Sequence, residues 1–433
     1  MDVPAEARRA GRSTIGDAMA RAGARHRDQV ALRFGERTWT YRTLDQAAER
    51  AARQLRAAGL ARGDRVVAFG RNSDLYLIAW LACTKSGLIH VPANYALSAR
   101  ELGYIVQQSG ARLILHDPAL AETAHAASGA ARLRTFVDAF AADELAEEDP
   151  SGDVKDDDVA QILYTSGTTG MPKGAALTHA ALLSEYASCI IELEFTGHDR
   201  ALAALPLYHT AQMHCFTTPQ LLVGSETVLI ESPVPATCLE LIERHRLNSF
   251  FAPPTVWINL LRHPDFARRD LSGLRNIHYG AAIMPVPVLH ELRERLPGVR
   301  AFNCYGQSEI APLATVLKPE EHDARPTSVG RPVLNVRTRV VDPDMRDVPP
   351  GERGEIVHRS PHLMIGYWDK PEESRQAFEG GWFHSGDIGV LDEEGYLTIV
   401  DRMKDVINTG GVLVASREVE DALFTHPAVA ELA

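Results

Sequence analysis

The feature that most constrains the fold is an alternation of short apolar runs and amphipathic helical stretches in the N-terminal third of the chain. Residues 65–69 form a buried-strand run, and residues 44–58 carry apolar side chains on one helical face. Strand–helix–strand units at this spacing favour a mostly parallel sheet with helices on its faces. The alternation stops at an acidic connector, residues 143–158, and then resumes.

The same patterns predict individual elements. The predicted strands of the alternating region are residues 38–41, 65–69, 89–92, 112–115, 228–230 and 249–252. The predicted helices are residues 44–58, 73–85, 99–109, 236–245 and 255–261. From about Gly330 the pattern changes to antiparallel strands, at residues 336–341, 354–358, 389–391 and 396–400. A hairpin turn at residues 392–395 joins the last two of these strands.

Composition excludes several classes of protein. The chain has 433 residues, of which 45% are hydrophobic and 24% are charged, values that rule out a disordered or fibrous chain. A net charge of −12 makes the protein a poor general binder of nucleic acid or anionic membranes. Five cysteines without C-x-x-C spacing argue against a disulfide framework and a cysteine zinc site. The absence of a signal peptide and of a long apolar run predicts a soluble cytoplasmic protein.

The densest chemical signal is the string YTSGTTGMPKG, which runs from Tyr164 to Gly174 and follows an apolar strand. Its glycines let backbone amides turn toward one anion, and its hydroxyl groups add further donors. Lys173 supplies a mobile positive charge. Because a glycine follows Lys173, the string is not the G-x-x-x-x-G-K-[ST] loop. The pattern predicts a cradle for a polyphosphate.

This string resembles the phosphate loop of the adenylate-forming superfamily, which includes acyl-CoA synthetases, luciferases and adenylation domains of nonribosomal peptide synthetases. Further segments match in the same order from Trp39 onward. The resemblance implies an α/β fold: a large N-terminal domain of αβαβα sheets with a β-barrel subdomain, then a small α+β C-terminal domain. We place the large domain at residues 1–400, with its barrel part at about 330–400. The hinge and an incomplete small domain would occupy residues 401–433.

The resemblance also implies the chemistry of the phosphate loop. A carboxylate attacks the α-phosphate of ATP, pyrophosphate leaves, and a thiol captures the acyl-AMP. Lys173 is assigned a catalytic role by the match. The residues assigned to nucleotide binding in the loop are Thr165, Ser166, Gly167, Thr168, Thr169 and Gly170, with Thr165 also catalytic.

A second segment, Tyr305-Gly306-Gln307-Ser308-Glu309, resembles the family's Y-G-x-T-E motif. By that match Tyr305 stacks on adenine, Ser308 contacts phosphate, and Glu309 is catalytic and binds Mg²⁺. A carboxylate suits that role because Mg²⁺ demands hard oxygen ligands. The remaining residues assigned to the nucleotide site here are Gly280, Ala281, Ala282, Asn303 and Gly306.

The third segment places a carboxylate ahead of the hinge. Asp387 resembles the family aspartate that accepts hydrogen bonds from both ribose hydroxyls. In the tetrapeptide that begins at Asp401, the match makes Asp401 the pivot and Arg402 a catalytic contact to ribose or phosphate. Gly411 matches the glycine beside the tunnel for the pantetheine arm of CoA.

Two observations concern the acid. His209, in the segment Leu205-Pro206-Leu207-Tyr208-His209, resembles the family histidine beside the substrate carboxylate, and we assign it a catalytic role. Residues 211–216 and Trp257 are expected to line the acyl tunnel. We find no basic residue placed to hold a second carboxylate, which favours an apolar monocarboxylic acid.

The leading interpretation is an acyl-CoA synthetase that uses ATP, Mg²⁺ and CoA on a fatty or similarly apolar acid. One alternative is a ligase that loads an acyl carrier protein. The family's adenylation lysine lies past Ala433, so we expect a sequence that is part of a longer chain. A protein that performs only the thioester half, or only binds the adenylate, is the other alternative. A zinc enzyme and a hydrolase are poor matches, because neither ligand spacing nor a G-x-S-x-G elbow is present.

Overall fold

The computed structural model describes residue 7 and residues 10–141, 145–146, 149–152, 154–165 and 171–402, with the backbone of residues 407–408 and 413–414. The helices of this part are α1 (Ile15–His26), α2 (Tyr41–Ala57), α3 (Asp74–Ser86), α4 (Ala99–Ser109), α5 (Ala121–Ala127), α6 (Phe136–Ala141), α7 (His179–Glu192), α8 (Thr218–Val223), α9 (Pro235–His245), α10 (Pro254–Arg262), α11 (Val286–Arg295) and α12 (Pro371–Ala377). A π-helix covers Ala211–Thr217.

The strands up to the middle of the chain are β1 (Val30–Phe34), β2 (Arg37–Thr40), β3 (Arg65–Phe69), β4 (Ile89–Ala93), β5 (Leu113–His116), β6 (Arg132–Thr135), β7 (Val159–Thr165), β8 (Lys173–Thr178), β9 (Arg200–Ala203), β10 (Glu226–Leu229) and β11 (Ser249–Phe251). The later strands are β12 (Asn276–Gly280), β13 (Arg300–Gly306), β14 (Leu313–Leu317), β15 (Arg331–Pro332), β16 (Arg337–Val341), β17 (Gly354–Arg359), β18 (Phe383–Leu391), β19 (Leu397–Arg402), β20 (Ile407–Asn408) and β21 (Leu413–Val414).

Two large sheets organise the molecule. One has nine strands in the order β15-β14-β13-β12-β11-β9-β10-β1-β2, and the other has six in the order β6-β5-β3-β4-β7-β8. Neighbouring strands in the middle of both sheets are parallel, and antiparallel pairs lie toward the edges. The predicted parallel sheet is therefore confirmed, but it is divided into two.

Side-chain alternation along the strands builds the layers. In β3, Val66 and Ala68 join the largest core cluster, whereas Val67 and Phe69 join a second cluster on the opposite face with α4 and α5. Successive residues of a strand point to opposite faces, so each face of the six-stranded sheet is covered by helices. The largest core includes residues of both sheets and of α1, α2, α3 and α7, while α9, α10 and α11 cover the outer face of the nine-stranded sheet. This is the αβαβα arrangement that the resemblance implied.

Helix α3 shows how the sequence fixes the central layer. Ser73 caps its start by accepting a hydrogen bond from the Tyr76 backbone, and Gly87 ends it with a φ of 66°. Glycine is favoured there because a left-handed residue commonly follows a helix. Twelve of its residues, from Asp74 to Ser86 except Leu75, are buried, as expected for a helix that is apolar on all sides between two sheets.

The barrel region corresponds to a four-stranded antiparallel sheet in the order β16-β17-β18-β19, which is open within the described residues. All four predicted strands are present, and β18 begins six residues before the predicted residue 389. A bridge between Gly330 and Leu397 joins this sheet to the neighbourhood of β15. The domain boundary at residue 400 stays a prediction. Among the described residues, no helix is long and apolar enough to cross a membrane.

Candidate active site

A large cavity opens where the two sheets approach the four-stranded sheet. Its volume is about 1320 Å³. Strand β7 ends in it at Thr165, β13 ends in it at Gly306, and β18 contributes Asp387. Ligands of α/β proteins bind at the carboxyl ends of the strands, and this cavity has that position.

Glu309 is at the centre of the polar end of the cavity. Its Oε1 accepts hydrogen bonds from the Thr165 hydroxyl at 3.3 Å and from the Tyr367 hydroxyl at 3.0 Å. Burial and the neighbouring Glu309 raise the pKa of Tyr367, so the phenol keeps its proton and remains a donor. The Lys173 Nζ lies 4.5 Å from the centre of the Tyr367 ring. Lys173 reaches this place because it pairs directly with Thr165 across the β7–β8 hairpin.

The surroundings of Glu309 fit a hard metal ion. Among the described residues, no lysine, arginine or histidine forms an ion pair with this carboxylate. Its neighbours Thr165 and Tyr367 supply further oxygen atoms. Carboxylate and hydroxyl oxygens are the type of ligand that Mg²⁺ takes in phosphate-binding sites.

Asp387 is another carboxylate of the polar end, and its side chain is almost fully buried. Its Oδ2 accepts hydrogen bonds from the Tyr305 hydroxyl and from the Gln307 amide, each at 2.7 Å. The Arg402 Nε lies 3.6 Å from Oδ1, because Asp387 and Arg402 are paired in register between β18 and β19. Burial and Asp387 together raise the pKa of Tyr305, which keeps the phenol protonated.

The strands β12 and β13 end in glycines that lie too close to backbone atoms to be replaced by larger residues. A Cβ on Gly306 would lie 1.8 Å from the Pro312 carbonyl oxygen, and one on Gly280 would lie 2.2 Å from the Cys304 carbonyl oxygen. Both contacts are with backbone, so any side chain would displace the chain. Beside this turn, the hydroxyl oxygens of Ser308 and Thr210 are 3.2 Å apart.

The opposite end of the cavity is apolar, and the π-helix forms one of its walls. Phe216 stacks on Phe251 with ring centres 4.1 Å apart and planes 13° apart, and Cys215 and Leu313 complete this wall. π-Helices are rare and occur frequently at functional sites.

Three residues expected in the acyl tunnel lie elsewhere. Met213, His214 and Trp257 are fully buried and are not part of the cavity lining. Met213 belongs to the largest core cluster, and Trp257 packs on Phe250. The His214 ring contacts Gln161 and Tyr186 inside the core. The expectation for these three residues was wrong.

His209 lies two residues before the start of the π-helix and lines the cavity. Its ring is 4.5 Å from the ring of Tyr208. The surrounding protein lowers the pKa of His209 below its usual range by desolvation, so the imidazole is neutral at pH 7. A neutral imidazole can donate one hydrogen bond to an acid without adding a positive charge.

Most of the residues that the sequence singled out meet in this one cavity. Those in its lining are Thr165, Lys173, His209, Ala281, Tyr305, Gly306, Ser308, Glu309, Asp387 and Arg402. Gly280, Ala282 and Asn303 are not in the lining, and the Asn303 amide donates to the Ser328 carbonyl at 2.9 Å. The remaining assigned residues, Ser166, Gly167, Thr168, Thr169, Gly170 and Gly411, lie outside the described residues.

Three residues that contact the predicted site residues were not predicted from the sequence. Tyr367 donates a hydrogen bond to Glu309, and Gln307 donates one to Asp387. The Thr210 hydroxyl forms a hydrogen bond with the Ser308 hydroxyl. Tyr367 lies in an irregular segment with no spacing signal. Gln307 and Thr210 are next to assigned residues, so proximity to a motif was the only signal available for them.

Comparisons with known proteins show the family to which the chain belongs. The profile of the AMP-binding enzyme family matches residues 19–368. Feruloyl-CoA synthase from Amycolatopsis sp is 37% identical over 400 residues, which cover 92% of this chain and 81% of the relative. Fatty acid–[acyl-carrier-protein] ligase ScoC from Streptomyces coeruleorubidus is 32% identical over 412 residues, covering 91% of this chain and 78% of the relative.

A solved structure is similar over nearly the whole chain. O-succinylbenzoate coenzyme A synthetase (MenE) from Bacillus subtilis, in complex with ATP and a magnesium ion, matches with a TM-score of 0.88 and 29% identity. The match covers 96% of this chain and 85% of that chain. The chain therefore belongs to the AMP-binding enzyme family, among the AMP-forming acyl-CoA synthetases. Enzymes of this family use ATP and CoA.

Proposed function

We propose that the protein joins an apolar monocarboxylic acid to the CoA thiol through an acyl-AMP intermediate, with Mg²⁺ as the metal. The observation that carries this proposal is the division of one cavity into two ends. Carboxylates, hydroxyls and cations occupy one end, and stacked aromatic rings with aliphatic neighbours occupy the other. Such a cavity can hold a charged nucleotide and an apolar acid side by side.

The charge distribution supports a single carboxylate on the acid. In the described part of the chain, the cavity lining contains one lysine and one arginine, Lys173 and Arg402, and both lie at the nucleotide end. A second carboxylate that reached Phe216 and Phe251 would lose water without gaining a partner. An unpaired buried charge is costly, so dicarboxylic acids should bind poorly. Ferulate and fatty acids, which the names of two relatives mention, both satisfy this requirement.

The nucleotide end supplies positioning and electrostatic stabilisation. Asp387 accepts hydrogen bonds from the two ribose hydroxyls in place of those it now takes from Tyr305 and Gln307. Lys173 and Arg402 place positive charge toward the phosphates, and the hydroxyls of Thr165 and Ser308 donate to phosphate oxygens. The acid carboxylate attacks the α-phosphorus and pyrophosphate leaves, so no protein nucleophile is needed.

Glu309 would hold the metal, with its oxygen neighbours Thr165 and Tyr367 beside it. A bound Mg²⁺ supplies charge neutralisation for the phosphates. The solved MenE structure with ATP and a magnesium ion supports this assignment by similarity.

His209 orients the acid. Its neutral imidazole donates a hydrogen bond to one carboxylate oxygen and leaves the other oxygen free to attack. A protonated histidine would pair with the carboxylate and lower its nucleophilicity.

The acid class is tested by measuring pyrophosphate release with paired acids. Octanoate and cinnamate are each compared with a dicarboxylate of equal length, at fixed ATP and CoA. We expect kcat/KM to be higher for each monocarboxylate by about tenfold or more, because one unpaired buried charge costs more than 1.4 kcal/mol. Equal values for both members of a pair would contradict the proposed acid class.

A carrier protein is the second candidate acceptor, because ScoC, a fatty acid–[acyl-carrier-protein] ligase, matches 91% of this chain. The single-turnover rate of acyl transfer from enzyme-bound acyl-AMP to free CoA is compared with the rate of transfer to a holo acyl carrier protein. Both thiols are used at the same concentration. Faster transfer to CoA is the expected result. Faster transfer to the carrier would assign the protein to the second class.

A further inference from the structure

Three cysteines that are far apart in the sequence meet behind the apolar wall of the cavity. The Cys189 Sγ is 3.8 Å from the Cys215 Sγ and 3.0 Å from the Glu185 Oε1. One ligand atom from each of Glu185, Cys189 and Cys215 lies within 4.8 Å of the others, and all three residues are buried. Cys304 is a buried neighbour that lines the cavity together with Cys215 and adds a third sulfur nearby. We call these four residues the thiol cluster.

One carboxyl oxygen of Glu185, a member of the thiol cluster, lacks a hydrogen-bond partner among the described residues. Glu185 has no exposed surface, and its Oε2 has no hydrogen-bond partner in the described residues. A buried polar oxygen without a partner is destabilising. A cation at the cluster would satisfy this oxygen.

The spacing of the sulfur atoms fits a tetrahedral thiolate site. A Zn–S bond of about 2.3 Å places two sulfurs of a tetrahedron about 3.8 Å apart. Cys189 and Cys215 are separated by this distance before any adjustment. The contact of 3.0 Å between Cys189 and Glu185 would widen by a few tenths of an ångström when both bind one ion.

The thiol cluster also has an entry path. Cys215 and Cys304 line the cavity, so an ion can reach the sulfurs from the side of the acid pocket. Buried thiols that lack such access would not exchange metal with solvent.

We propose that Glu185, Cys189 and Cys215, with Cys304 as the neighbouring fourth group, bind a soft divalent cation of the Zn²⁺ class. Thiolate ligands select such ions over Mg²⁺, whereas Glu309 offers only oxygen neighbours. The two sites therefore take different metals.

Titration with Cd²⁺, a spectroscopic substitute for Zn²⁺, tests the site directly. We expect one Cd²⁺ per chain, detected by its thiolate-to-metal ultraviolet absorption. Cys189→Ala and Glu185→Gln should each weaken binding by about tenfold or more, since each removes one of few ligands. Cys83→Ala and Cys238→Ala alter buried cysteines outside the cluster and should leave binding unchanged. Failure of the wild type to develop the absorption, or equal affinity in Cys189→Ala, would overturn the proposal.

Alkylation of the wild-type protein gives a second test that does not depend on how well the variants fold. N-ethylmaleimide should reach Cys215 and Cys304 through the cavity, and one equivalent of Zn²⁺ should slow both reactions about tenfold or more. Labelling rates that are the same with and without Zn²⁺ would contradict the site. Neither readout uses ligase activity, so failure here and failure of the proposed function are distinguishable.

Discussion

Glu309 and Asp387 are the two carboxylates that we assign to the nucleotide, and their environments differ. Asp387 is buried and accepts two hydrogen bonds of 2.7 Å, from Tyr305 and Gln307. Within the described residues, the Glu309 carboxylate accepts hydrogen bonds only from two hydroxyl groups. These surroundings support the proposed roles, in which Asp387 binds the ribose hydroxyls and Glu309 binds the metal ion.

Replacing Glu309 by glutamine should lower pyrophosphate release. The amide keeps the size of the side chain but loses the negative charge that holds the metal, and loss of one such electrostatic group typically costs about 10²–10³ in kcat. The change is measured by acid-dependent pyrophosphate release at saturating ATP. Glu372→Gln, on the exposed face of α12, is the matched control and should keep full activity. A Glu309→Gln enzyme with normal turnover would contradict the metal role.

Replacing Asp387 by asparagine should raise the KM for ATP. A hydrogen bond to a charged group is worth about 1.5–3 kcal/mol, which corresponds to a weakening of about tenfold to hundredfold. The KM for the acid should change much less, because Asp387 lies at the other end of the cavity. Asp369→Asn, at an exposed position with a φ of 49°, serves as the control. Equal increases in both KM values would indicate a general loss of structure.

Among the secondary-structure elements, the helices and strands whose ends are marked by capping or turn residues could be predicted from the sequence. The helix predicted at residues 73–85 is observed at Asp74–Ser86. Both of its ends are set by adjacent residues, the N-cap Ser73 and the left-handed Gly87. The π-helix could not be predicted, because its conformation depends on partners distant in sequence. His214 contacts Gln161 on β7 at 2.8 Å and Tyr186 on α7 at 2.7 Å.

The same limit applies to the candidate site. The strings that begin at Tyr164 and Tyr305 were recognisable as motifs, so Thr165 and Glu309 could be assigned to one site before their 3.3 Å contact was known. Tyr367 and Phe251 could not be assigned. Their places are set by the packing of a loop and a strand against the cavity, which no local pattern records.

His214→Phe tests the anchoring of the π-helix. The ring still fills the space, but Gln161 and Tyr186 lose their partner inside the core. Leaving these two groups unpaired should lower the free energy of unfolding by about 2–4 kcal/mol, measured by urea denaturation. His198→Phe, at an exposed site, should change it by less than about 0.5 kcal/mol. Similar losses in the two variants would show that the hydrogen bonds do not hold the π-helix.

At the scale of the whole molecule, buried histidines make stability depend on pH. Burial lowers the pKa of six of them, to about 3 for His90, His214 and His278 and to about 4 for His179, His358 and His362. Above pH 6.5 they are neutral in both folded and unfolded chains. Below that pH the unfolded chain binds protons that the folded chain does not, so stability falls.

Each of these histidines should contribute a slope of about 1.4 kcal/mol per pH unit between pH 6.5 and its lowered pKa. The slope is measured by urea unfolding at pH 7.5, 6.5 and 5.5. His278 is the best probe, because neither of its ring nitrogens has a hydrogen-bond partner among the described residues and its ring stacks on Phe302. His278→Phe should reduce the slope by the share of one histidine. An unchanged slope in His278→Phe would contradict this origin of the pH dependence.

We propose that one cavity activates an acid with ATP and passes the acyl group to CoA. Pyrophosphate release by the whole gene product, with ATP, Mg²⁺ and a panel of carboxylic acids, with and without CoA, tests this function most directly. We expect release that depends on an apolar monocarboxylic acid and yields acyl-CoA when the thiol is present. Absence of acid-dependent release from a folded, ATP-binding protein would contradict it.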